Sequence, residues 1–520
     1  MVPDILLATL NARYIHAAFG LRYLLANLGD LRTRAEIREF EISQRPIDVV
    51  ENLLRERPRI IGLGVYIWNV TQTTEVVCLL KRLAPDVSIV LGGPEVSYET
   101  EGQAVVALAD YVIAGEADLA FPELCCQLLN GQVPGQKIIR PPVPEFSRLV
   151  LPYDLYSADD IAHRIIYVEA SRGCPFKCEF CLSSLDIPVR QSPLKSSPLA
   201  RRESGAGQGF LEHLDGLISR GARHLKFVDR TFNLNVGVSL EILGFLLERW
   251  QPGMLFHFEM VPDRLPTELR EMICKFPAGS IQLEVGVQTF NPEVGGLIER
   301  RQDYGRLREN LAFLRSRTHA HIHADLIAGL PGESLESFGS GFDQLIALQP
   351  HEIQVGILKR LRGTTLSRHD AAFGMIYNPH PPYEILENRL INFPLMQRVR
   401  RFARYWDLVG NSGNFVETTP LLWSGQSSPF AAFMKWSDWL YAKTRRTDSI
   451  ALARLMELIF EYLRQEVGVE PTVAARALWI DYKRGGRQDK PSLLKDFLLD
   501  EGPEPHRGHA GSLKRQARHG

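Results

Sequence analysis

Short apolar runs alternate with helical patterns over the first part of the chain. Ile5–Leu10, Ile37–Ile42, Ile60–Ile67, Val87–Leu91 and Tyr111–Ala114 end in turn residues, as buried parallel strands do. Between them, apolar residues recur at helical spacing, with Leu21, Leu24, Leu25 and Leu28 in one stretch and Val76, Leu79, Leu80 and Leu83 in another. Strands joined by crossover helices predict an open, doubly wound α/β sheet over residues 1–133, with ligands outside the carboxyl ends of its strands. Pro134, Pro141, Pro142, Pro144 and Pro152 mark residues 134–160 as a linker. A second alternation occupies residues 161–377, with strands at Ile165–Ala170, His224–Val228, Leu255–Glu259, Ile281–Val287, Ile322–Ile327 and Ile353–Leu358. Six βα units predict a partial barrel whose site lies at the carboxyl ends of the strands. Residues 378–502 turn helical and aromatic, with Trp406, Trp423, Trp436 and Trp439, and residues 503–520 are expected to be a disordered tail.

Composition narrows the function classes. Sixty basic residues against 61 acidic ones leave a formal net charge of −1, which argues against a general electrostatic footprint for nucleic acid or membrane. No apolar run approaches a membrane span, and Asp4 interrupts the first one, so a signal peptide is not expected. Seven cysteines in 520 residues, three of them clustered, do not suit a disulfide scaffold, so a reducing cytoplasm is the expected compartment.

The three clustered cysteines carry the sharpest signal. SRGCPFKCEFC, residues 171–181, leaves the first strand of the second series directly and places Cys174, Cys178 and Cys181 on one short loop. Three thiolates so spaced can hold three corners of a [4Fe–4S] cubane and leave one iron open. A closed zinc site is the metal alternative, but it wants four ligands, and no second Cys or His pair stands nearby. Cys125, Cys126 and Cys274 sit in apolar helical stretches and are expected to be packing residues.

At this motif the chain resembles the radical S-adenosylmethionine superfamily. The resemblance implies that the methionine end of S-adenosylmethionine chelates the open iron, and that electron transfer from the cluster yields a 5′-deoxyadenosyl radical. Phe180 matches the residue that packs near adenine. Polar residues recur at the later strand ends: Asp229, Thr231 and Asn233, then Glu259, then Glu284 and Gln288, then Asp325 and Glu333, the last two lying with Ile327, Gly329 and Gly332 in the region the family uses for ribose and adenine. Of these, Glu259, Glu284, Gln288, Asp325, Gly329 and Glu333 are the expected contacts to S-adenosylmethionine. The second strand lacks the family's Gly-Gly-Glu form.

Glycines at strand ends of the first domain, among them Gly62, Gly64, Gly92, Gly93 and Gly115, allow a backbone to approach a ligand closely. No GxGxxG follows the first strand, which counts against a dinucleotide. The order of domains resembles the cobalamin-binding branch of the radical S-adenosylmethionine enzymes. That implies three parts: a doubly wound cobalamin-binding-like domain, a partial (β/α)6 barrel and a mainly α C-terminal domain. The last part, with NPHPPYEIL at 378–386, looks like an uncharacterised domain of one subgroup. The family's DxHxxG motif is absent, since NARYIHAAFG carries His16 at a different spacing. Tyr66, Trp68 and Asn69 are therefore expected near cobalt in place of a histidine ligand. Tyr377, Tyr383 and Trp406 are candidates for a substrate pocket.

The resemblance implies cofactors [4Fe–4S], S-adenosylmethionine and cobalamin, a reductant such as flavodoxin or ferredoxin, and methyl transfer to an unactivated carbon. A radical cyclisation or rearrangement without methyl transfer keeps the same cofactors. A cobalamin or redox sensor is the non-enzymatic alternative.

Overall fold

A computed structural model describes residues 2–185, 188–195, 209–487, 491–497 and Arg518. The predicted tail, residues 503–520, lies outside the described residues apart from Arg518. The chain divides into two compact units. The first comprises Met1–Glu259, Lys359–Ser367 and Asn378–Glu384, and the second Met260–Leu358, Arg368–Tyr377 and Ile385–Gly520.

The first unit opens with strands β1 (Ile5–Asn11), β2 (Ala35–Glu41), β3 (Ile60–Gly64), β4 (Ser88–Gly92), β5 (Tyr111–Ile113) and β6 (Ile138–Ile139). They form one parallel sheet in the order β2-β1-β3-β4-β5-β6. Helices α1 (Phe19–Ala26), α2 (Pro46–Leu54), α3 (Val70–Leu83), α4 (Ala104–Leu108) and α5 (Ala120–Leu129) provide the crossovers. Alternation along β1 sorts its side chains into two layers. Leu6, Ala8 and Leu10 join Val49, Val50, Leu53, Val76 and Leu80 on one face, and Ile5 and Leu7 join Leu21, Phe121, Leu124 and Cys125 on the other. Each fully buried aliphatic side chain contributes about 1.5–3 kcal/mol. Cys125 is core, as expected, whereas Cys126 and Cys274 are exposed, because the core-facing stripes of their helices run through their neighbours.

The proline-rich stretch is more than a spacer. Ile138 and Ile139 add the sixth strand, and Ser157 caps the helix Ala158–His163 by accepting a hydrogen bond from Asp160 N at 3.0 Å. Buried Asp160 in turn accepts from Arg22 at 2.9 Å, and Arg22 donates to Glu39 at 2.9 Å. Residues 134–160 thereby pack into the first unit.

The second alternation supplies β7 (Ile166–Val168), β8 (His224–Phe227) and β9 (Leu255–Met260), with β8 parallel to both others. In the second unit, β10 (Ile281–Gln288), β11 (His321–Ala328) and β12 (Glu352–Ile357) run parallel in that order. The division thus falls within the strand series. The helices Phe393–Leu408, Pro429–Thr444, Leu452–Tyr462 and Pro471–Arg484 follow, as the aromatic pattern predicted. Trp406 packs edge-on against Phe342 and Phe433, so it is core rather than a pocket wall.

Asn69 holds the first sheet's ligand edge together. Its side chain accepts from Tyr66 N and donates to Leu10 O, Gly64 O and Thr9 Oγ1, all within 3.2 Å, and the residue is fully buried. Asn69→Ala should lower the unfolding free energy by about 1–3 kcal/mol in denaturant titration, the cost of stranding buried polar groups. An unchanged midpoint would show that water replaces the side chain.

Candidate functional site

The carboxyl edge of the first sheet carries a cleft of about 230 Å³. That is smaller than the ~300–1,000 Å³ of pockets for whole ligands, so it suits one flat part of a larger molecule. Gly92, Gly93, Gly115, Tyr66, Leu24 and Phe121 are among its walls. Gly93 has φ +108°, and a Cβ there would lie 2.5 Å from Val65 O, so only glycine permits this approach of β3 and β4. Tyr66 stacks on Trp68 with ring centroids 4.4 Å apart, and Trp68 is 47% exposed, an open aromatic platform beside the cleft wall. Asn69 is not part of that wall, being consumed by the backbone contacts above. His16 Nδ1 lies 2.7 Å from Tyr167 Oη, its backbone bridges to Ile165, and burial pushes its pKa down. It therefore ties β7 to the first sheet and does not line the cleft.

The cysteine loop leaves β7 in the same unit. None of the three cysteines is in a disulfide, and Cys174 and Cys178 are buried while Cys181 and Phe180 are half-buried. Among the described residues, no three Cys, His, Asp or Glu side chains converge on a single-ion site. A cubane asks for something different, one thiolate at each of three irons, which three thiols along one loop can supply. The neck of this loop is an antiparallel ladder pairing Ser171 with Gln191 and Arg172 with Arg190. Asp229, at the end of β8, accepts from Ser171 Oγ at 2.6 Å and Ala170 N at 3.0 Å, and burial raises its pKa to about 6. Asp229 thus braces the neck. Thr231 and Asn233 beside it are buried, and Glu259 is half-buried, 3.9 Å from Arg230.

Sequence reasoning missed the charges around that neck. Arg172 pairs with Glu116, Asp118 and Glu169, and Arg190 pairs with Glu116. The signal was present as AGEAD after the fifth strand and SRGC before the first cysteine, two acids and an arginine at strand ends.

In the second unit, alternate residues of β11 put His321, His323 and Asp325 on one face, with Glu284 beside His323 on β10 and Glu352 beside it on β12. Burial lowers the His323 pKa, but Asp325, Glu352 and Glu284 outweigh it and leave the pKa raised. Gln288 ends β10 in a left-handed conformation, φ +70°. Gly329 has φ +91°, and a Cβ there would lie 2.7 Å from Ile385 and 3.1 Å from Met396, while its carbonyl accepts from Asn388 at 3.4 Å. The glycine is required by this C-terminal crossing, a different cause from the ligand approach expected. Glu333 is 2% exposed, Oε1 accepts from Thr289 at 2.6 Å, and Oε2 has no hydrogen-bond partner among the described residues. Burial raises its pKa to about 7. A buried oxygen with no donor is where a ligand hydroxyl fits. Tyr383, a pocket candidate, instead donates to Glu95 at 2.6 Å and is joined there by Arg362, which pins residues 359–367 and 378–384 to the loop after β4. Tyr377 is half-buried on a short ladder with Ile385.

Three family models match in succession. These are the B12 binding domain over residues 5–125, the Radical SAM superfamily over 168–343, and a protein of unknown function, DUF4080, over 371–517. The chain thus carries a B12 binding domain, a Radical SAM domain and the uncharacterised DUF4080 in succession, as the sequence led us to expect. The first two models name cobalamin and S-adenosylmethionine as the cofactors of these domains. The cobalamin-dependent radical SAM methyltransferase TokK of Streptomyces tokunonensis is 26% identical over 349 residues, 58% of this chain and 47% of TokK. The cobalamin-dependent radical enzyme OxsB, solved with aqua-cobalamin and S-adenosylmethionine, shares the fold with TM-score 0.61 at 14% identity, over 96% of this chain and 84% of that one. The methyltransferase TsrM from Kitasatospora setae, solved with cobalamin and a [4Fe–4S] cluster, has TM-score 0.55 at 16% identity, over 75% and 78%. The chain spans about half the length of the curated relatives it matches. Among the described residues no helix is long and apolar enough to cross a membrane.

The buried carboxyl gives a pH test. Glu333 titrates higher folded (about 7) than unfolded (4.5), so its ionisation costs stability as pH rises through that window. Glu333→Gln should be more stable than wild type at pH 8, by about 1–3 kcal/mol, with the difference closing toward pH 5. A pH-independent difference in thermal unfolding would refute the buried, raised carboxyl.

Proposed function

We propose that this protein is a cobalamin-dependent radical SAM methyltransferase acting on an unactivated carbon. The observation carrying the proposal is that one compact unit holds both a glycine-walled cleft suited to part of a cobalamin and a braced loop of three cysteines outside any disulfide. When bound, the cluster supplies the electron that cleaves S-adenosylmethionine, and cobalamin carries the methyl group. The chain's own residues bind and orient. Cys174, Cys178 and Cys181 hold the cluster, and Phe180 flanks the nucleoside. Gly92, Gly93 and Gly115 admit the flat base of cobalamin, while Tyr66 and Trp68 offer ring faces. Glu259 in the first unit, and Glu284, Gln288, Asp325 and Glu333 in the second, are the polar side chains proposed for S-adenosylmethionine, Glu333 offering Oε2 to a ribose hydroxyl, and Gly329 shapes the turn after β11. A low-potential donor such as flavodoxin or ferredoxin supplies electrons. The relatives named as methyltransferases favour methyl transfer over cyclisation.

The decisive assay incubates reduced enzyme and a cell extract with S-adenosylmethionine labelled in its methyl group. Labelled product, 5′-deoxyadenosine and S-adenosylhomocysteine should appear together, and Cys174→Ala, Cys178→Ala and Cys181→Ala should each lose iron and all three products. 5′-Deoxyadenosine without label in any product would favour cyclisation or rearrangement. Neither product from a protein with an intact cluster would leave the sensor.

The lower face of cobalt gives a second test. Because Tyr167 holds the His16 ring, cob(II)alamin on the full chain should show no nitrogen hyperfine lines in paramagnetic resonance. Lines that vanish in His16→Ala would make His16 the ligand.

A further inference from the structure

Glu116 follows the cleft-lining Gly115, and its carboxylate accepts hydrogen bonds from both strands of the cysteine loop's neck. Arg172 donates through Nη1 at 3.1 Å, and Arg190 through Nη1 at 3.0 Å and also through Nη2. These arginines face each other in the neck ladder. Arg172 also donates to Asp118 at 3.0 Å and Glu169 at 2.8 Å, and its guanidinium lies 4.3 Å from the Tyr23 ring centroid. Arg172, Asp118 and Tyr23 are all walls of the cleft. One guanidinium is therefore both part of the cleft and the start of the loop, two residues before Cys174.

We propose that Arg172 is a positioning residue that couples the two cofactor sites. A group seated in the cleft holds the neck in the form in which the three cysteines carry the cluster, and a loaded loop holds the cleft wall. The inference rests on the cofactor reading above and adds that the two sites are not independent. The cause is electrostatic and entropic. A ligand over Arg172, Asp118 and Tyr23 excludes water from the ion pairs and strengthens them. Ordering the neck is a cost met once for both ligands, and linkage makes the effect reciprocal.

The test uses the full chain, reconstituted anaerobically. Hydroxocobalamin affinity is measured with and without the cluster, and iron loss to a chelator is followed with and without hydroxocobalamin. In wild type the cluster should tighten cobalamin binding about tenfold, within the usual range of such couplings, and cobalamin should slow iron loss. Arg172→Gln and Glu116→Gln should still bind each cofactor, with both effects falling toward none. Arg172→Lys, which keeps the charge without the fork, should recover part. Should Arg172→Gln fail to fold, the near-isosteric Glu116→Gln carries the test. Full coupling in the glutamine variants, or independent binding in wild type, overturns the proposal. A wild type that binds no cobalamin overturns the cofactor reading itself, and the coupling with it.

Discussion

Buried charge around the neck of the cysteine loop is the constraint on which the first unit depends. Two arginines, Arg172 and Arg190, meet three carboxylates, Glu116, Asp118 and Glu169, and every one of these side chains is at most 19% exposed. Removing one partner from such a group costs about 3–5 kcal/mol, because it strands a charge away from water. Burial pushes the pKa of Glu169 up against the pull of Arg172. The pairs to Glu116 and Asp118 join residues 54 to 74 positions apart in the chain, so they form only where the loop and the first sheet come together. A second buried group, Arg22 with Glu39 and Asp160, fixes the proline-rich stretch in the same way.

Much of this architecture is legible in the sequence, because strands buried on both faces write themselves as short apolar runs. Every predicted strand is present within a few residues, and long helices follow from Phe393 onward. β6 escaped notice because two isoleucines among prolines are too short to carry a period. The ion clamp escaped for a different reason: pairing across more than fifty residues leaves no local pattern. Asn69 and Gly329 were legible as special positions but not in role. Their surroundings are backbone from β1 in one case and Ile385 and Met396 in the other, and neither can be read from neighbouring residues.

The candidate site residues of the second unit show what alternation can and cannot indicate. Polar residues at every second position of β11 mark one face as polar, but their partners come from β10 and β12, and the register decides them. His321 lies 3.0 Å from Glu352, and His323 lies 3.4 Å from Asp325, so these carboxylates meet imidazoles before they meet any ligand. Glu333 keeps one buried oxygen, Oε2, without a hydrogen-bond donor among the described residues.

The central claim is that one compact unit holds cobalamin and the cluster close together through a shared clamp. Spin relaxation measures this most directly, in full-length protein carrying a reduced cluster and stoichiometric cob(II)alamin. The account predicts that the cluster signal relaxes markedly faster with cob(II)alamin bound than with a diamagnetic cobalamin in its place. Identical relaxation in the two samples, with both cofactors shown to be fully bound, would contradict it.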